Sequence, residues 1–228
     1  MCSRYFLDAD GNIIAYTFRV PVKEPIRKRF NIAPTQEAPV IRVGKEGARE
    51  VALLRWGLVP FWAKDLAVGT RMINARAEGV GSKPAFRAAI RARRCLVPAT
   101  GFFEWKGIAG RKQPFAITLP DRPLFAFAGL WETWKPSAGE PVETFTIVTT
   151  DANDAVAEIH DRMPVILPRE AEDAWLAGES VDACKLLTPY SGAMNLRAVS
   201  RVVSNSKVDV PECLNDAEPG WGAQQQLL

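Results

Sequence analysis

Apolar and β-branched residues are gathered in short runs, each closed by Pro, Gly or Asp, and the runs have the length of strands. The pattern predicts strands over Ala38–Val43, Val51–Trp56, Cys95–Ala99 and Phe115–Leu119. It predicts four more over Leu124–Leu130, Thr144–Thr150, Val165–Leu167 and Leu196–Val203. Runs such as PLFAFAGLW and TFTIVTT are apolar or β-branched on successive positions, as expected of strands covered on both faces. Helical signals are fewer. Lys83–Arg93 places Phe86, Ala89 and Ile90 on one face, and Asp151 can cap a helix running through Ala155, Val156 and Ile159. A third helix is expected over Arg169–Ala177, with Glu170, Glu172 and Asp173 in its first turn and Gly178 just past its end.

The pattern therefore predicts an α+β chain, mainly antiparallel β, folded into a barrel-like sheet with peripheral helices. A single domain over residues 1–214 is expected, followed by a loosely held carboxyl-terminal tail over 215–228 with its Gln run. The 228 residues are 47% hydrophobic and 24% charged, which excludes a fibrous or disordered chain. Lys and Arg total 29 against 26 Asp and Glu, a net charge of +3 that permits a nucleic-acid partner without requiring one. One histidine cannot build a His-rich zinc site, so no metal is expected; no cofactor is expected either. The four cysteines have no CxxC spacing, and no apolar run approaches the roughly 18 residues of a membrane span, so a cytoplasmic protein is expected.

Cys2 is the most informative position for chemistry. Removal of Met1 would leave cysteine at the amino terminus, with an α-amine whose pKa is about 7.7–8.0 against about 10.4 for lysine. An amine and a thiol on adjacent carbons can attack one aldehyde in turn, forming an imine and then a five-membered thiazolidine ring. The plainer alternative is that Cys2 is simply a small second residue. His160, at the end of the helix begun at Asp151, is either an acid/base group or a capping residue. Arg162 either holds a phosphate or pairs with Asp161 or the acidic helix that follows. Glu104 lies among Phe102, Phe103 and Trp105; facing an aromatic pocket it would be a raised carboxyl suited to proton transfer, and facing outward a solvated charge. Asn74 is either a hydrogen-bonding group or a turn residue. Arg4, Arg76, Arg162, the runs Arg27–Arg29 and Arg91–Arg94, and Trp56, Trp62 and Trp105 fit a single-strand groove equally as well as a solvated surface and a core.

Eight segments in register, MCSRY, FNIAPTQ, RWGLVPFWAKD, INARAE, RCLVPATGFFEWK, FAGLWE, FTIVTTDAN and IHDRMPVIL, resemble the SOS response-associated peptidase (SRAP) family from residue 1 to about residue 167. VSNSKVDVPECL at 203–214 is a looser match to that family's last motif. The resemblance implies the family's fold and a protein that recognises abasic sites in single-stranded DNA. It implies a covalent bond through an exposed amino-terminal cysteine, shielding the lesion from strand cleavage in the DNA damage response. The cysteine is exposed by autoproteolysis, or by ordinary Met removal where only Met1 precedes it. By the same resemblance Cys2 matches the nucleophile, Asn74 the residue positioning its amine, Glu104 the acid/base and His160 the residue assisting ring opening and imine formation. Arg4, Asn31, Trp62, Arg76 and Arg162 match positions lining the DNA groove. The family name implies a peptidase-class hydrolase, and the chemistry is lyase-like in passing through an imine. A monomer is expected, associated with the nucleoid when bound to DNA. The sequence departs from the family in having Ser3 where glycine is usual, and in reading ARAEG after Asn74 rather than ending in Thr or Ser. Two other classes fit the same residues: an amino-terminal-nucleophile amidohydrolase, and a module that binds single strands without bonding to them.

Overall fold

A computed structural model describes residues 2–108 and 111–218 of the protein. It opens with β1 (Tyr5–Leu7) and helix α1 (Gly11–Phe18). Asp10 starts that helix by accepting the backbone N–H groups of Asn12 and Ile13, and Arg19 ends it in a left-handed conformation with φ 50°. There follow β2 (Arg29–Ile32), β3 (Glu37–Val43), β4 (Arg49–Trp56), β5 (Asn74–Arg76), α2 (Ala89–Ala92), β6 (Arg94–Ala99), β7 (Gly101–Ile108) and β8 (Arg111–Thr118). The chain continues through β9 (Phe125–Trp134), β10 (Val142–Asp151), α3 (Asp154–Ala157), β11 (Arg162–Pro164), β12 (Ile166–Leu167), α4 (Glu172–Ala177), α5 (Ser180–Lys185) and β13 (Asn195–Ala198).

Two sheets organise these elements. In the larger, β10, β4, β3, β6 and β9 are neighbours in that order, and β9 pairs again with β10, which closes a five-strand barrel. Its pairings are antiparallel except where β10 runs parallel to β4, and beyond β4 the parallel edge of β10 is taken up by β5. The smaller sheet has the order β13-β8-β7-β1-β2. The architecture is thus mostly antiparallel β with few helices, as the run lengths predict.

Strand periodicity assigns each sheet face to a core. Tyr5 and Leu7 of β1 join the main cluster, whereas Phe6 joins a smaller one with Phe103, Ala116, Val199, Val203 and Cys213. On β7, Phe102 faces the main core and Phe103 the smaller one. Tyr5 meets Trp56 and Phe127 edge-on, with ring centroids 5.3 and 5.9 Å apart, so β1 is pinned to the barrel by contacts worth about 0.5–1.5 kcal/mol each beyond their burial. Gly57, following β4, has φ +120°, and a Cβ there would lie 2.6 Å from the carbonyl oxygen of Gly69. That close approach sets the loop carrying Phe61 and Trp62, which is also held by the indole N–H of Trp134 donating to Ala63 O at 2.7 Å.

Several expected boundaries shift. The helix expected over Lys83–Arg93 is α-helical only over Ala89–Ala92, because Pro84 follows Lys83 and the N–H groups of Phe86 and Arg87 converge on the carbonyl of Lys83 as turns. The cap of α3 is Asn153, whose side chain accepts Val156 N–H at 3.0 Å; Asp151 instead ends β10 and pairs with Arg162. Residues Arg169–Ala171 form a 3₁₀ turn before α4, and Glu172 is buried against Arg49. The last predicted strand stops at Ala198, after which Ser200 caps a 3₁₀ turn over Arg201–Ser204. Of the expected tail, 219–228 lies outside the described residues, while Asp216 bridges to Val199 and pairs with Arg197. Among the described residues, no helix is long and apolar enough to cross a membrane, and no cluster of His, Cys, Asp and Glu has a metal-binding arrangement.

Candidate active site

The antiparallel pairing of β1 with β7 continues one residue beyond Tyr5, where Phe103 N–H donates to Arg4 O at 3.0 Å. Ser3 and Arg4 are thereby laid alongside Glu104 and Trp105, and a cleft of about 470 Å³ opens there. Glu104 and His160 line it together, with Lys112 and Ser204 completing the wall. Trp105 donates its indole N–H to the Ser204 hydroxyl at 3.2 Å, and the Arg4 guanidinium lies 5.9 Å from the Trp105 ring centroid. A larger cavity, about 720 Å³, lies at the far end of the β3–β4 hairpin. It contains no cysteine or histidine, and its Arg42 is stacked on Trp131 and already neutralised by Glu50 and Glu143.

Burial sets the protonation chemistry of the cleft. Glu104 is 3% exposed, and loss of solvent raises its carboxyl to about 7, with Asp161 adding to the rise and Lys112 opposing it. Burial also raises the Cys2 thiol, and the Glu104 charge raises it further, so sulfur is held as a thiol. Cys2 is fully buried, with Sγ 3.8 Å from the carbonyl of Arg4. Burial lowers the imidazole of His160, as does Lys112, while Asp161 opposes. Two partners meet at its Nδ1: the Arg162 backbone N–H at 3.0 Å and the Asp161 carboxylate at 2.8 Å. These serve different states. Neutral imidazole accepts from the backbone and keeps its proton on Nε2; the protonated ring donates from Nδ1 to Asp161.

The remaining expected site residues lie outside the cleft lining. Asn74, on β5, donates to Ile73 O at 3.0 Å, and its Oδ1 is a buried acceptor with no donor among the described residues. Arg76, at the end of the same strand, is exposed, and Trp62 is 52% exposed beside exposed Phe61. Arg162 is engaged by Glu78 at 2.7 Å, Asp151 at 2.6 Å and the carbonyl of Thr149 at 2.8 Å. Asn31 is 0% exposed. Its amide donates to the carbonyls of Val203, Asn205 and Val208, fastening to β2 the segment that brings Ser204 to the cleft. Lys112 and Ser204 are cleft residues that the sequence reading missed. Lys112 sits in a polar hairpin segment that looks like any solvated turn, and only the β7–β8 register places it.

The chain is similar to known proteins in both sequence and fold. A family model described as SOS response associated peptidase (SRAP) matches residues 1–206. The chain is 40% identical over 223 residues to abasic site processing protein YoqW of Bacillus subtilis, covering 94% of this chain and 99% of that one. It is 32% identical over 228 residues to abasic site processing protein HMCES of Gallus gallus, covering 85% of this chain and 68% of that one. Among solved structures, a protein from Bacteroides thetaiotaomicron superposes with a TM-score of 0.86 at 29% identity, covering 95% of this chain and 100% of its own. On the strength of the family model and of these identities, the chain belongs to the SRAP family.

Proposed function

We propose that the protein processes abasic sites in single-stranded DNA by bonding to them through Cys2 once Met1 has been removed. The observation that carries this reading is the convergence of Ser3, Arg4, Glu104 and His160 on one cleft, with Cys2 beside them and under the influence of the Glu104 charge. In the ring-opened form an abasic sugar presents an aldehyde. Protonated Glu104 gives its proton to the ring oxygen as the sugar opens, the C1 hydroxyl gives its own proton to neutral His160 to leave the aldehyde, and the α-amine of Cys2 adds to the aldehyde carbon. Loss of water from the carbinolamine leaves an imine. The thiol then adds across the imine, sulfur bonding to carbon and its proton passing to nitrogen, so the thiazolidine forms with net loss of one water. His160, neutral with its proton on Nε2, assists the proton transfers.

Other site residues have roles in this reading. Asn74 Oδ1 is an acceptor of the kind a freed amine N–H satisfies. Arg4 and Trp105 form the floor under the lesion, Trp62 stacks on a neighbouring base, and Arg76 meets the backbone. Arg162 contributes through its fixed network with Glu78 and Asp151. A true peptidase or amidohydrolase would need a cysteine sulfur activated as thiolate. The raised Cys2 thiol favours the amine as first nucleophile instead.

Intact mass of the purified protein, with and without an oligonucleotide carrying one abasic site, tests the proposal. The expected adduct has the mass of the protein lacking Met1 plus the oligonucleotide less one water, and it survives heating in detergent. Protein retaining Met1, or DNA released intact on denaturation, overturns it.

A further inference from the structure

The cations around the cleft differ in how far they are committed. Arg162 spends its guanidinium on Glu78, Asp151 and the carbonyl of Thr149. Arg4 lies against Trp105 and is partly buried. Lys112 is exposed and makes no ion pair or side-chain hydrogen bond among the described residues. Its place follows from strand register. On β8 it stands opposite Gly107, which has no side chain, and a Cβ there would meet nothing within 4 Å. Two residues along, the opposed pair Trp105–Pro114 shares that face of the ladder. Lys112 therefore stands over open space next to Trp105, and its charge reaches both Glu104 and His160.

An ammonium left unpaired at the rim of a polyanion-binding cleft is a phosphate ligand in waiting. Resting on the abasic-site reading above, we propose that Lys112 takes the phosphate diester flanking the abasic sugar and so holds that sugar against Glu104. Lys106 provides the internal comparison. It lies on the same hairpin opposite Gln113, on the other face of the ladder, and does not line the cleft.

The test measures binding of a single-stranded oligonucleotide carrying tetrahydrofuran, a non-reactive abasic mimic, over a series of KCl concentrations. Lys112→Gln is expected to flatten the plot of log affinity against log salt by about 0.7, the slope of one phosphate contact on a single strand. Lys112→Arg is expected to keep the wild-type slope, and Lys106→Gln to leave it unchanged. A wild-type slope in Lys112→Gln, or an equal flattening in Lys106→Gln, overturns the assignment. Wild-type adduct formation on a true abasic oligonucleotide is measured in parallel. Its absence would sink the function reading, whereas normal adduct with an unaltered Lys112→Gln slope would sink only this one.

Discussion

The carbonyl of Arg4 accepts the backbone N–H of Phe103 at 3.0 Å, and that bond brings the first residues of the chain alongside Glu104. The same carbonyl lies 3.8 Å from the sulfur of Cys2. Backbone pairing between β1 and β7 holds the amino-terminal end of the chain, with Cys2, at Glu104.

Glu104 makes the site unfavourable for stability at neutral pH. Its carboxyl is raised from 4.5 to about 7, so within that window the folded protein keeps a proton that the unfolded chain has released. Stability accordingly falls as pH rises through it. Glu104→Gln is expected to raise thermal stability at pH 8, by up to about 3 kcal/mol, and to leave it unchanged near pH 4. The same variant slows adduct formation far more than it weakens binding of the non-reactive mimic. Melting curves across pH and a binding isotherm check both statements.

Cys2→Ser keeps the amine and loses the sulfur. Heat-stable adduct without reductant is expected to drop at least about tenfold, while borohydride still traps an imine. Denaturing gels with and without reductant separate the two, and equal heat-stable adduct from the variant would contradict the thiazolidine.

Trp62 is exposed and contributes little to the core. Trp62→Ala is expected to weaken single-strand binding by about 1–3 kcal/mol with its melting temperature nearly unchanged. Anisotropy titration alongside a melt tests this, and a matching loss of stability would place the ring in the core instead.

Asn31 is buried and clamps the 203–208 segment to β2. Asn31→Ala strands three carbonyls and is expected to cost about 3 kcal/mol of stability. Denaturant unfolding measures it, with a change under about 0.5 kcal/mol counting against the clamp.

Much of the barrel is legible in the sequence because β3, β4, β9 and β10 are long apolar or β-branched runs with clear ends. The rest is carried by contacts that periodicity does not encode. The three residues of β1 are too few to show a period, and GFFEWKGI mixes aromatic, charged and glycine positions because β7 serves two cores on opposite faces. Helix α1 is signalled only by Asp10. The chemistry proposed for Cys2, Glu104 and His160 is suggested by residue type and family resemblance. The engagement of Arg162 by Glu78, 84 positions away, and of Asn31 by carbonyls 172 or more positions away is not encoded in any local pattern.

Insertion of β1 between β2 and β7 also imposes an order in time. The landing strand for the amino terminus is not synthesised until residues 101–108, and the clamp behind it not until 203–208. Until then the first residues of the chain have no strand to pair with, and residue 2 and Glu104 are not yet neighbours. The candidate cleft therefore assembles only after most of the chain is made, since Arg4, Glu104 and Ser204 of its lining are drawn from the beginning, the middle and the end of the sequence.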